Sequence, residues 1–123
     1  MKTVYTANAP EPIGPYSQAI ECGGLLYLSG QIPVNPQNGQ MCGENVADQT
    51  EQVCNNIKHV LEAAGYSFDN VVKTTCFLIN PADFAAFNDV YARYFTSKPA
   101  RSTVFVNGLP KGALVEVEVI AKK

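Results

Sequence analysis

Arg101 is the residue best suited to holding an anion, set in the run Pro99-Ala100-Arg101-Ser102. The chain has only two arginines, Arg93 and Arg101, and Arg101 lies where a loop meets a strand, after a proline that stiffens the approach. A guanidinium fixed there can grip a carboxylate or a phosphate through two parallel hydrogen bonds. The alternative is a surface or interface arginine paired with an acidic neighbour. Glu116 and Glu118 share one face of an otherwise apolar run, Val115 to Ala121. A carboxyl buried there would have a raised pKa and could act as general acid or base. Otherwise both are solvated, or paired with Lys73 or Lys111.

Ser29-Gly30-Gln31 closes an apolar strand, and its glycine lets a ligand come close to the backbone. It is no nucleophile elbow, because the chain has a single histidine, His59, expected on the solvated side of a helix. Most Ser-His and Cys-His mechanisms are thereby removed. Ile13-Gly14-Pro15-Tyr16 is a rigid turn presenting an aromatic hydroxyl, more often structure than site. Asn88 falls off the apolar stripe of its helix and is expected in solvent unless a subunit interface covers it. The four cysteines form no C-x-x-C pair and read as small, reduced core residues, so neither a disulfide framework nor a structural metal is expected.

Those residues must be positioned by one domain spanning 1–123, a length that holds one core. Hydrophobic residues make up 46% and charged residues 16%, which is globular composition rather than disorder. The net charge of −2 gives no electrostatic reason to expect nucleic acid. No run approaches the roughly 20 apolar residues that cross a bilayer, and no targeting pattern follows Met1, so a cytoplasmic protein is expected.

Two helices are predicted. In Asn45 to Gly65, the positions Val53, Ile57, Val60, Leu61 and Ala64 form a stripe, with Asn45 as N-cap and Gly65 as stop. A second helix starts at Asn80-Pro81, with Asn80 as N-cap candidate, and carries Phe84, Phe87, Val90, Tyr91 and Tyr94. Strands are predicted at Leu25–Ser29, Val71–Ile79, Ser102–Val106 and Val115–Ala121, with shorter ones near Lys2–Tyr5 and Ala19–Glu21. The order β-β-β-α-β-α-β-β implies an α+β sheet with both helices on one face. In Val71 to Ile79, alternation puts Val72, Thr74, Cys76 and Leu78 on one face and Val71, Lys73, Thr75, Phe77 and Ile79 on the other. Both faces carry apolar residues, so the helix-free face asks for a partner; alternation does not separate dimer from trimer.

Six blocks in order resemble the RidA/YjgF family of reactive-intermediate deaminases. They are Ala9-Pro10 with Ile13 through Ala19, Ser29 through Pro33, Val71 through Thr75, Asp83-Phe84 through Tyr91, Pro99 through Ser102, and Leu109-Pro110-Lys111 with Val115 through Ala121. The resemblance implies a chorismate-mutase-like α+β fold, and a homotrimer whose sheets pack inward as a barrel with ligand clefts between subunits. It implies hydrolysis of 2-imino acids (2-iminobutanoate, 2-iminopropanoate), released as enamines by pyridoxal-phosphate-dependent dehydratases, to 2-oxo acids and ammonia, with no cofactor in the deaminase itself. By the same resemblance Arg101 clamps the substrate carboxylate and Glu116 orients or activates water, with Glu118 a neighbour. Tyr16, Ser29 and the backbone of Gly30 line the cleft, with Asn88 contributing, and Thr103 stands where many members have cysteine. The loop from Thr96 to Lys98 is short for the family. Rival expectations are a keto-acid sensor, a chaperone-like holdase, and the ribonuclease activity attributed to some relatives.

Overall fold

A computed structural model describes residues 1–123. Six strands and two helices follow one another as β1 (Lys2–Val4), β2 (Ala19–Cys22), β3 (Leu25–Gln31), α1 (Val46–Ala63), β4 (Val71–Leu78), α2 (Phe84–Tyr94), β5 (Ala100–Phe105) and β6 (Val115–Lys122). The strands form one mixed sheet in the order β1-β2-β3-β6-β4-β5. Only β4 and β5 pair in parallel, and α2 is the crossover between them. The α+β architecture matches the predicted order of elements.

α1 forms where predicted. The Asn45 side chain accepts from the Asp48 N–H at 2.9 Å, and Gly65 closes the helix at φ +79°, a conformation that costs glycine no Cβ clash. Its stripe of Val53, Ile57, Val60 and Leu61 is fully buried against β3 and β6. α2 packs on α1 and buries Phe87, Val90 and Tyr91. Asn80 does not cap it: a single 3-10 turn, Pro81–Asp83, precedes Phe84, and the Asn80 side chain makes no capping bond. Core residues of β4 and β6 (Thr74, Cys76, Leu78, Val115, Val117, Val119, Ala121) lie beneath the helices.

Two β-bulges alter the predicted strand faces. Val71 pairs with Ala121 but Lys73 with Ile120, so Val72 is an extra residue. Val71 therefore joins Thr74 on the buried side and Val72 is exposed, the reverse of simple alternation. The second bulge lies between Leu28 and Gln31, opposite β6, and β3 runs two residues past the predicted end at Ser29, through Gly30 and Gln31. The face away from the helices shows Tyr27, Phe77, Val104 and Ile120, interleaved with Lys73, Thr75, Glu116 and Glu118. Tyr27 and Val104 are 45% and 42% exposed, which is unusual for large apolar side chains on a strand.

The segment before β2 has little regular structure and is held by one side chain. Gln18 is buried; its amide nitrogen donates to the carbonyls of Thr6 (3.0 Å), Ala9 (3.3 Å) and Pro10 (2.9 Å), and its oxygen accepts from the Thr6 N–H at 2.8 Å. Replacing it strands the buried Ala9 carbonyl and leaves the part-buried Thr6 and Pro10 groups without their partner, at about 1–3 kcal/mol for each group that water cannot reach. Gln18→Leu is expected to lower the free energy of unfolding by at least 2 kcal/mol, on the order set by those groups, in urea titration followed by circular dichroism. A change under about 0.5 kcal/mol, the level of an inert surface substitution, would show that this segment is held by something else.

Candidate active site

Arg101 is the second residue of β5, an edge strand, and lies in register with Thr74 of β4 on the helix side of the sheet. α2 crosses above it and offers Phe84, Asn88 and Tyr91 at helical spacing. Arg101 Nη1 donates to Asn88 Oδ1 at 2.8 Å. The guanidinium carbon lies 4.7 Å from the Tyr91 ring centroid, 5.6 Å from Phe84 and 6.0 Å from Phe87, within cation–π range. No carboxylate pairs with it; the single ion pair of the structure joins Arg93 to Glu51. Within the chain Arg101 thus has no acidic partner, and its remaining donors have no acceptor. Beside it opens a groove of about 540 Å3, lined by Asn88, Tyr91, Phe95, Lys98, Pro99 and Arg101 among others. The short loop at its rim is pinned by Ser97 Oγ donating to the Val71 carbonyl at 2.9 Å, with Lys98 at φ 52°. Asn88 is half-buried, not solvated as its place on the helix suggested, because Arg101 fills the space beside it. Thr103 shares Arg101's face of β5, in register with Cys76, and its hydroxyl is buried without a partner.

Glu116 and Glu118 belong to β6 and point to the helix-free face. With Ile13, Tyr16, Ser29, Gly30, Ile32 and Pro110 they line a hollow of about 450 Å3. The bulge in β3 sets Gly30 directly against Glu116: a Cβ at position 30 would lie 2.9 Å from the Glu116 carboxyl carbon. Any side chain at position 30 would therefore push the Glu116 carboxylate from its place. Ser29 Oγ donates to the Ser17 carbonyl at 2.6 Å, and the Tyr16 hydroxyl accepts from the Ile13 N–H at 3.3 Å. Tyr16 thus lines the hollow as well as closing its turn. Glu116 is half-buried, and burial, helped by the neighbouring charge of Glu118, raises its pKa. Neither glutamate has an ion-pair partner; Lys111 instead reaches the Gly39 carbonyl at 3.4 Å.

The structure therefore gathers Tyr16, Ser29, Gly30 and Glu116 in one hollow, and Asn88 and Arg101, with Thr103 on the same strand face, around another. The two are separated by the sheet. Arg101 lies two strands from Glu116, about 10 Å across the sheet and, since their register partners on β4 are Thr74 and Phe77, about another 10 Å along it, and on the opposite face. His59 is not fully solvated as expected: it is half-buried, with Nδ1 enclosed and without a partner. Of the cysteines only Cys54 and Cys76 are core residues; Cys22 is exposed and Cys42 half-exposed, since both follow strand and loop ends. Burial pushes the Cys76 thiol up to about 11, which makes it a poor nucleophile. No group of three or more His, Cys, Asp or Glu side chains is arranged to hold a metal ion. Tyr91, Thr74 and Gln18 are the contributors that sequence patterning missed. The available signal was a tyrosine on a buried helix stripe, which needs a hydroxyl partner.

The Glu116 shift fixes the sign of a pH effect. Its folded pKa lies above the ordinary 4.5, so its favourable contribution is complete below 4.5 and is lost as pH rises through the raised value. Glu116→Gln removes that loss. Its melting temperature is expected to exceed the wild type's at neutral pH and to converge with it well below 4.5. A variant less stable than the wild type at neutral pH would contradict the burial of an unpaired carboxylate.

The family model described as Endoribonuclease L-PSP matches residues 6–123. A RutC family protein, PH0854, of Pyrococcus horikoshii is 53% identical over 99% of this chain and 98% of its own. Reactive Intermediate Deaminase A, chloroplastic, of Arabidopsis thaliana is 46% identical over 98% of this chain and 65% of its own. Among solved structures, E. coli TdcF with bound serine superposes with a TM-score of 0.95 at 39% identity, covering 100% of this chain and 99% of that one. Matches of this extent establish that the chain belongs to the RidA/YjgF family, the Endoribonuclease L-PSP group that includes reactive-intermediate deaminases.

Proposed function

We propose that this protein is a 2-iminobutanoate/2-iminopropanoate deaminase, hydrolysing 2-imino acids to 2-oxo acids and ammonia at sites shared between neighbouring subunits of a homotrimer. One observation carries the proposal. An arginine with no acidic partner and a half-buried, unpaired glutamate lie on opposite faces of one sheet. A four-carbon acid cannot touch both in one chain. A second copy resolves the separation by bringing its helix-free face, with Glu116, against the Arg101 edge of the first. The exposed Tyr27 and Val104 favour such packing. The deaminase name of the Arabidopsis relative and the serine held by TdcF favour a small amino-acid-derived substrate.

In this mechanism Arg101 binds the substrate carboxylate through the donors that Asn88 leaves free, which fixes the adjacent C=N carbon. Glu116 accepts a proton from water as its oxygen bonds to that carbon. That proton passes to the imine nitrogen, giving a tetrahedral adduct with a hydroxyl and an amino group; Glu116 then takes the hydroxyl proton and hands it to the amine as the C–N bond breaks and the C=O forms. One water is consumed, one ammonia released, and Glu116 is regenerated. Its raised pKa makes Glu116 a better proton acceptor than an ordinary carboxylate. Tyr16, Ser29 and Gly30 wall the reacting carbon, and Thr103 lines the carboxylate side. No step requires a cofactor, and we place the reaction in the cytosol, where the free cysteines remain reduced. No helix is long and apolar enough to cross a membrane. With a net charge of −2 and two arginines, a nucleic-acid substrate is disfavoured.

Coupled to a threonine dehydratase, with semicarbazide competing for the imine, the wild type is expected to accelerate release of 2-oxobutanoate. Arg101→Ala and Glu116→Gln should each lose at least about 100-fold, the scale of a lost general acid–base or clamping group. A folded wild type that leaves the rate unchanged would refute the deaminase activity. The shared site has its own test, in which the two inactive variants are unfolded together and refolded as a mixture. Roughly a quarter of wild-type activity per chain should return, because random assembly in a closed ring gives that fraction of sites an intact Arg101 and an intact Glu116. Mixtures as inactive as their parents would place both residues' functions within one subunit.

A further inference from the structure

We propose that Tyr91, tied through its hydroxyl to Thr74, is a positioning residue that sets the orientation of the Arg101 guanidinium. The inference rests on Arg101 as the carboxylate clamp of the proposed site. Arginine has a long, flexible side chain, and one hydrogen bond to Asn88 leaves it free to swing about that contact. The second constraint is a plane: the Tyr91 ring, nearest of the three aromatic rings around the guanidinium, at 4.7 Å.

That ring is held more firmly than packing requires. It stacks on Phe95, with centroids 4.3 Å apart and planes 18° apart, and its hydroxyl meets Thr74 Oγ1 at 2.8 Å. Tyr91 is 8% exposed and Thr74 is fully buried, so neither hydroxyl can rely on bulk water and each satisfies the other. Phenylalanine and valine would fill the same space without burying polar groups. The position of Thr74 gives the pair a purpose. It is the register partner of Arg101 across the parallel β4–β5 pair, on the same face of the sheet. The Tyr91–Thr74 bond therefore ties α2 to the strand position beside Arg101, and it fixes the height and tilt of the ring against the guanidinium. Cys76 Sγ, two residues along the same strand face, donates to the Thr74 hydroxyl at 3.8 Å. A guanidinium ordered before the substrate arrives loses less freedom on binding a carboxylate, and that saving appears as affinity.

With two arginines in the chain, the Arg101 Nε–H signal can be identified in a nitrogen-15 NMR spectrum by comparison with Arg93→Lys. Lying near a ring face, it should be displaced by the ring current and show slow rotation about Nε–Cζ. In Thr74→Val and in Tyr91→Phe the rotation should quicken and the displacement change, and Tyr91→Leu should reduce the displacement to what the more distant Phe84 and Phe87 rings supply. In the dehydratase-coupled assay Thr74→Val should raise KM roughly fivefold with kcat nearly unchanged, and the Thr74→Val/Tyr91→Phe double variant should be no worse than either single one. An Arg101 signal unaltered in both single variants would overturn the positioning role, reducing the hydroxyl pair to a stabilising bond read only in melting temperature. An altered signal with unchanged KM would overturn its link to substrate binding. A wild type without activity would refute the deaminase function separately, and the NMR arm would still decide whether Tyr91 orders Arg101.

Discussion

Strand β6 lies between β3 and β4, and its period of two determines what each face of the molecule can do. Val115, Val117, Val119 and Ala121 face the helices and are essentially without solvent contact. That commits Glu116 and Glu118 to the other face, which no helix covers. A one-residue slip of β6 would bury two carboxylates under α1 and expose four core side chains, so the register is held by several kcal/mol, on the order of the burial of a few aliphatic groups. The acid–base candidate is thereby placed as firmly as the core.

β5 obeys the same rule with a different outcome. As the parallel edge strand it aligns Arg101 with Thr74 and Thr103 with Cys76, all toward α2, where Asn88 and Tyr91 wait at helical spacing. The sheet thus separates a cation from a carboxylate that no single chain reunites. In the proposed assembly this separation has a use, because neither half reacts alone and the site forms only when subunits meet. It also explains an apolar, helix-free face interrupted by charged residues, which suits an interface with functional side chains in it more than a dry core.

Most of the architecture could be read from residue order. The stripe of α1, its Asn45 cap and Gly65 stop, and the alternation in β6 all follow from local rules that tertiary contacts reinforce. Misplaced features depended on distant partners. Bulges at Val72 and at Ser29-Gly30 arise from pairing with β6, and nothing in the strands' own sequences marks the extra residue. Asn80 looked like a cap, yet the proline after it starts a 3-10 turn first. The chemistry followed the same division. Arg101, Glu116 and Gly30 stood out because their types were unusual for their settings. Asn88 looked ordinary until Arg101 was laid beside it, and Tyr91 looked like core because its hydroxyl partner lies 17 residues earlier in the chain. What local patterning could not supply was which residues face one another across the sheet; family resemblance supplied that expectation.

The shared site is tested most directly by a crystal structure of the protein with 2-oxobutanoate, the product of the proposed reaction. The ligand carboxylate should lie on Arg101 of one subunit, with Tyr16, Gly30 and Glu116 of an adjoining subunit around its carbonyl carbon. A ligand enclosed by residues of one subunit alone, or an assembly that leaves Arg101 and Glu116 of different subunits far apart, would contradict the shared site.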